Sequence, residues 1–430
     1  MSGRPAPLRA ALTSLRVYNF RLYAVGQLVS VSGVWMQRVA QDWLVLTLTR
    51  SPAEVGVTTL LQFAPTVLIG PLGGLAADRY PIRRLLLCTN AGMALCSGLL
   101  AAITLAHRVQ AWHVWVIAFA LGMVSAVDMP ARQSFVNDLV GTTRLRNAIS
   151  LNSATLQVGA LIGPAISGLL ISAVGAGYSF AINALCYAGP TVALLRMRAG
   201  ELNSRPPRPA VPEPVRAQLR QGLSYSARHR EILWPTVLVG AFGMMISSLP
   251  VTNAALARLV FHAGSTGYGV LSSCAAVGAV LGALRAASRQ HVALRGIVTS
   301  AAVLSGLYVL ASVAPGMVGY AIAVAAIGAG TTTVVTAANT AVQLAAADEI
   351  RGRVMGLYML VFLGSAALGG PFIGSVDQLL GPRAGLLIGG LVTGAITAIV
   401  AAAVARRAGP RTAAAAGTVS FRQVCEVNHD

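Results

Sequence analysis

Twelve apolar stretches leave this chain few folds to choose from. They run near residues 20–48, 55–77, 85–106, 111–135, 147–174, 177–195, 232–257, 266–286, 295–313, 316–344, 354–376 and 383–405. Each is close to the roughly 20 largely apolar residues that a helix needs to cross the hydrocarbon layer. The 430 residues are 55% hydrophobic and only 10% charged, with mean hydropathy +0.69, too apolar for one soluble domain, so the excess must face lipid. The expected fold class is an all-α membrane protein of twelve transmembrane helices.

Between the sixth and seventh stretches lies ELNSRPPRPAVPEPVRAQLRQGLSYSARHRE, whose prolines and charges mark a linker ending in a short amphipathic basic piece. The expected organisation is an N-terminal segment 1–19, a six-helix bundle 20–195, a linker 196–231, a second six-helix bundle 232–405 and a tail 406–430. The halves resemble each other when shifted by about 207 residues. RNAISLN from Arg146 falls on RVMGLYM from Arg353, and Gly163-Pro164 falls on Gly370-Pro371. Parallel repeats of this kind are the plan of transporters that rock two bundles about a central site.

Charge orients the chain. All 32 basic residues are arginine, and with the N-terminus placed inside, 27 fall in the N-terminal segment, the even-numbered connections and the tail. The opposite loops hold Arg50, Arg108, Arg258 and Arg383, and Arg38 lies within the first stretch. Because short translocated loops lose positive charge, both termini are expected to be cytoplasmic and the protein a multi-pass resident of the inner (plasma) membrane. A formal charge of +19 would suggest nucleic acid if it formed soluble patches, but it is spread between apolar stretches, so no nucleic-acid partner is expected.

Cys88, Cys96, Cys186, Cys274 and Cys425 show no metal-binding spacing and read as small buried thiols. The basic N-terminal segment lacks the short apolar core and cleavage site of a signal peptide, so the first helix is expected to act as its own insertion signal. The six histidines lie in or near loops and termini, and no GxxxxGK[ST] loop is present. No enzyme activity, cofactor or metal is expected, and energy would come from an ion gradient. The expected partners are a small-molecule substrate, protons and the lipid bilayer, with the chain working as a monomer.

The first stretch is the most informative. Gln27, Ser30, Val34, Gln37 and Gln41 recur at steps of three and four and share a face, and Arg38 and Asp42 form an i,i+4 pair beside it. Ionisable groups at membrane depth are costly and mark functional sites. At about 1.5 Å per residue, Asp42 lies some 12 Å below Arg50, inside the bilayer. The Arg38–Asp42 pair reads either as a permanent structural bridge or as a proton-coupling element that protonation releases, and coupling is preferred. Asp128 and Arg132 make a second acid–base pair at the inner end of the fourth stretch, either structural or a gate-side relay with Arg83 or Arg84.

Further polar stripes are Thr58, Gln62 and Thr66, then Ser150, Ser153 and Gln157, then Thr332, Thr336, Asn339 and Gln343. Together they would line a wet cavity, with Gln37, Gln41, Gln62, Gln157, Asn339 and Tyr358 as candidate substrate contacts. Trp35, Phe63, Tyr187, Met244, Met245 and Phe362 could supply an adaptable apolar surface.

The loop after the second stretch reads Gly73-Gly74-Leu75-Ala76-Ala77-Asp78-Arg79-Tyr80-Pro81-Ile82-Arg83-Arg84. Glycines at a helix end permit close approach, and an acid among arginines can pair with a facing helix, so Gly74, Asp78, Arg79, Arg83, Arg84 and Arg132 form a candidate latch. This stretch resembles the GxLaDrxGrk signature of the major facilitator superfamily, with Pro81 where the family usually has Gly. The equivalent GALRAASRQH of the second half lacks the acid. WMQRVAQDWLVLTLTRSP, VDMPARQSFVNDLV and RLRNAISLNSATLQVGALIGPAISGLL look like the drug:proton antiporter branch that includes enterobactin-exporter-like proteins. Gly159, Gly163, Pro164 and Gly168 give close packing and a kink, and resemble the branch's antiporter motif with Ser167 replacing one Gly. The resemblance, over about residues 15–405, implies two pseudo-symmetric six-helix bundles. It also implies export of an amphipathic or cationic compound, a drug, antibiotic or siderophore-like metabolite, by proton antiport. Facilitated uptake or uniport of a polar solute is the alternative.

Overall fold

The computed structural model describes residues 13–201, 215–287, 293–347 and 350–406, which are almost entirely helical. Helices α1 (Tyr18–Thr49), α2 (Pro52–Arg79), α3 (Ile82–Leu105), α4 (Ala111–Gly141), α5 (Asn147–Val174) and α6 (Ala176–Arg196) form the first half. A linker helix, Val215–Arg228, precedes α7 (Arg230–Val260), α8 (Gly264–Ala287), α9 (Leu294–Ser312), α10 (Gly316–Ala345), α11 (Arg351–Leu380) and α12 (Pro382–Ala405). Among the described residues, eleven of these twelve are long and apolar enough to cross a membrane; α1, the exception, is 32 residues long and carries the polar stripe. The fold is that of twelve transmembrane helices in two pseudo-symmetric bundles.

Local chemistry sets the helix ends. At the start of α2 the Ser51 hydroxyl accepts the Glu54 amide at 3.3 Å, Pro52 occupies the first helical position, and Glu54 lies in the first turn, where the dipole favours an acid. Helix α4 runs into α5 through Gly141, whose φ of 66° and ψ of 179° only glycine adopts readily. Helix α6 is interrupted at Tyr187, where Pro190 cannot donate to the Cys186 carbonyl. Two helices outrun their apolar stretches: a π-turn, Leu256–Val260, prolongs α7, and α11 continues to Leu380.

The halves meet along two seams, α2 against α11 and α5 against α8, both built on small residues. A Cβ on Gly370 would lie 2.8 Å from the Gly56 carbonyl oxygen, and one on Gly269 would lie 2.7 Å from that of Pro164. Without side chains the backbones come into contact. Of the repeated Gly-Pro pairs, 370–371 faces the α2–α11 seam through Gly370, whereas 163–164 touches the α5–α8 seam through the Pro164 carbonyl while Gly163 faces α1. Polar ties join the same region: Ser51 donates to Gln378 at 2.6 Å, Arg258 to Thr47 at 2.9 Å, and Ser265 and Ser273 to the Gly168 and Leu161 carbonyls at 3.3 Å. These contacts run from the arginine-poor end of the molecule to mid-depth, so that end is closed.

The linker helix packs on the second half, with Gly222 against the Arg353 carbonyl and Arg353 donating to Gln221. The expectation of buried thiols needs correcting: Cys88 is exposed, and Cys96, Cys186 and Cys274 are half-buried. A thiol is apolar enough for a lipid-facing position. Cys425 lies outside the described residues.

Candidate functional site

Every member of the α1 stripe, Gln27, Ser30, Val34, Gln37 and Gln41, lines one cavity of about 460 Å³. Residues of α1–α6 supply the lining, with Leu363 of α11, among the described residues, as the single contribution from the second half. The wall extends from mid-depth toward the arginine-rich end through Asp128, Arg132, Gln133 and Asn152. Its size falls within the roughly 300–1,000 Å³ typical of small-molecule sites.

Polar groups in this wall are cross-linked between helices. The Gln37 Oε1 atom accepts from Ser97 of α3 at 2.7 Å and from Asn183 of α6, and Gln62 of α2 donates to Gln41 at 3.3 Å. The Nε2 atoms of Gln37 and Gln41 are buried and have no acceptor. Gln157, Thr66, Trp35, Phe63 and Tyr187 also line the cavity.

Asp128 and Arg132 form the strongest buried constellation. Arg132 is ion-paired to Asp128 and donates to Gln27 of α1 and Asn90 of α3, each at 2.6 Å, while Thr89 of α3 donates to Asp128 at 2.6 Å. Three helices are thereby tied through one charge pair. The relay with Arg83 or Arg84 is not formed: Arg83 donates to the Leu195 carbonyl of α6 at 3.1 Å, and Arg84 is exposed. Both lie at the helix end, too far out to reach the buried pair.

Arg38 and Asp42 are not an ion pair, contrary to the spacing. Asp42, 6% exposed, accepts the Tyr268 hydroxyl of α8 at 2.8 Å, and so bonds across the two halves. Arg38 instead lies over the rings of Trp35 and Phe63, 5.1 and 5.5 Å from their centroids. The physical reason is order. On a helix, an acid four residues before a base is the better pair, as with Asp128 and Arg132, and the reverse order of Arg38 and Asp42 is weaker.

The candidate latch also lies elsewhere than expected. Gly73 packs on the Ala126 carbonyl of α4, whereas an added Cβ on Gly74 would meet nothing within 4 Å. Arg79 is exposed, and the Asp78 side chain lies outside what the structure describes. The contacts of Arg83 and Arg132 stay within the first half, and the described ties between halves lie toward the opposite end. In the antiporter-like motif, a Cβ on Gly163 would lie 2.6 Å from the Ser32 carbonyl of α1, and Gly159 packs on Val31. Gly168 meets Gly269 of α8, and Ser167 donates to the Met36 carbonyl at 2.9 Å. The motif thus joins α5 to α1 on one side and to the facing half on the other.

Asn339 and Tyr358 are not in the cavity wall. Tyr358 is in the second half's core, its hydroxyl 3.4 Å from the Val335 carbonyl, and Asn339 accepts from Gln343 on its own helix. Thr58 and Ser153 likewise spend their hydroxyls on their own backbones. Sequence reasoning passed over Thr89, Asn90, Ser97, Asn183, Tyr268 and Asp377. Asp377 is 2% exposed in α11; Thr252 of α7 donates to its Oδ2 at 2.7 Å, and its Oδ1 has no partner. The signal for it was a lone acid just beyond an apolar stretch.

A family profile described as transmembrane secretion effector matches residues 9–422. Among curated proteins, the enterobactin exporter EntS of Shigella flexneri is 23% identical over 391 residues, 87% of this chain and 90% of that protein. The staphyloferrin A transporter of Staphylococcus aureus is 26% identical over 259 residues, 59% of this chain; the match spans only 62% of that relative's length. Among solved structures, a POT family transporter in complex with 5-aminolevulinic acid superposes with a TM-score of 0.73 at 13% identity, covering 90% of this chain and 96% of that one. The nucleoside transporter NupG gives 0.69 at 11% identity, covering 91% and 100%.

Proposed function

The chain belongs to the transmembrane secretion effector family, in the enterobactin-exporter-like branch of the major facilitator superfamily, and from that premise we propose that it exports a small amphipathic organic molecule by alternating access. It is a multi-pass membrane transporter of small molecules and not an enzyme. The observation that carries the proposal is the asymmetry of closure: both small-residue seams hold the arginine-poor end shut, while the polar cavity extends toward the arginine-rich end. With the arginine-rich end cytoplasmic in the inner membrane, this is an inward-open conformation, the one in which an exporter loads its cargo, and the direction of transport rests on the relative named as an exporter. Relatives named as an enterobactin exporter and a staphyloferrin A transporter support a siderophore-like metabolite, with a drug or antibiotic as the neighbouring class.

The proposal includes proton antiport through Asp42. An ionised Asp42 holds the Tyr268 hydroxyl by a charge-assisted bond between α1 and α8. Protonation removes that assistance, so the charge on one carboxyl sets the strength of a tie between the two halves. Accumulation of candidate compounds in inside-out vesicles under an imposed pH gradient tests the whole reading. Uptake that follows the gradient is expected; equilibration of a downhill solute with no gradient-driven uptake would leave a uniporter. In Asp42→Asn, gradient-driven accumulation is expected to disappear while substrate exchange continues.

A further inference from the structure

The cavity holds more donors than it can use, and one of them is charged. Arg38 lies about 18 Å below Arg50 along α1, near mid-bilayer. An arginine at that depth is costly unless something answers its charge. Among the described residues it makes no ion pair and no hydrogen bond; the Trp35 and Phe63 rings flank it without neutralising it.

The carboxylates nearby are already committed. Asp128 lines the cavity but is ion-paired to Arg132 and accepts from Thr89. Asp42, one turn from Arg38, acts on it through space without touching it, is absent from the cavity wall and accepts from Tyr268. Among the described residues no other acid lines the cavity, so its wall presents one guanidinium that no carboxylate contacts. The amide nitrogens of Gln37 and Gln41, on either side of Arg38 in sequence, are further donors without acceptors. The remaining wall offers Val34, Leu121, Met129, Leu156 and Leu363 to an apolar body.

We infer that the cavity selects an amphipathic anion, a carboxylate or ionised phenol on an apolar or aromatic body, whose charged oxygens dock on Arg38 while Gln37 and Gln41 supply further donors. A cationic drug would meet a guanidinium in the wall with no carboxylate beside it there, and be disfavoured. The inference rests on the transport reading of this cavity and names its cargo class; charge-assisted and bidentate contacts to arginine supply the discrimination.

Three probes sharing one ring system test it: 2-naphthoate, 2-naphthamide and 2-naphthylmethylammonium, titrated against the purified full-length protein by calorimetry. Naphthoate is expected to bind at least about tenfold tighter than the amide, and the ammonium weakest. In Arg38→Gln the naphthoate should fall to the level of the amide, while the amide itself changes by less than about twofold. Arg38→Lys should keep part of the preference. Absence of saturable naphthoate binding, an amide or ammonium that binds as tightly, or a folded Arg38→Gln protein with its preference intact would each overturn the inference. The wild-type ranking needs no variant, so a variant that fails to fold does not protect it. Because binding is measured without a gradient, loss of export in vesicles leaves the anion preference standing, and export with an inverted ranking removes only the anion preference.

Discussion

Asp128 and Arg132 show what one buried charge pair does in the first half: with Thr89, Asn90 and Gln27 it bonds α1, α3 and α4 together. Asp128→Asn leaves Arg132 with an unanswered charge and is expected to cost roughly 3–5 kcal/mol. Replacing both by apolar residues of similar size, as in Asp128→Leu with Arg132→Met, should recover much of that loss, because well-packed apolar pairs often match a buried ion pair. Thermal unfolding of the single and double variants in detergent measures both. Single-sequence spacing identified this pair, along with the whole α1 stripe and Gln62 and Gln157 as cavity residues. It misassigned the partner of Asp42 because i,i+4 proximity does not say which rotamer wins, and Tyr268 lies 226 residues away on another helix. It missed Asn183 and Ser97 because single polar residues in apolar helices carry no periodic signal.

At the level of elements, the two seams are where glycine is required by contact. Gly269→Ala would push a methyl group against the Pro164 carbonyl and should loosen the α5–α8 seam, lowering the melting temperature and exposing a cysteine placed at Ser265 to a membrane-impermeant maleimide from the arginine-poor side. Gly306→Ala on α9, where an added Cβ meets nothing within 4 Å, should do neither. Equal effects from the two would mean that the seam does not hold that end shut. Hydropathy located all twelve helices but misjudged some ends. The apolar stretch of α11 stops at residue 376, one short of Asp377; the helix continues to Leu380 and takes Asp377 inside it, where Thr252 of α7 answers one of its two carboxylate oxygens. Gly141 was unreadable for a different reason, since its backbone conformation leaves no trace in composition.

At the level of the molecule, the 207-residue repeat and the paired seams describe one design, in which two bundles meet by close backbone contact toward one end and the cavity extends toward the other. The cavity's dependence on the first half, with Leu363 alone from the second, was not legible from a repeat that treats the halves as equals. Alternating access requires the two ends to move in opposite senses. The most direct test places spin labels in pairs, one across the arginine-poor end at Arg50 and Leu379, the other across the arginine-rich end at Tyr80 and Leu344, all exposed positions. Distances from double electron–electron resonance, recorded with and without a transported substrate over a range of pH, are expected to change reciprocally, the first pair lengthening as the second shortens. Two distances that stay fixed, or that lengthen and shorten together, would contradict transport by rocking about this cavity.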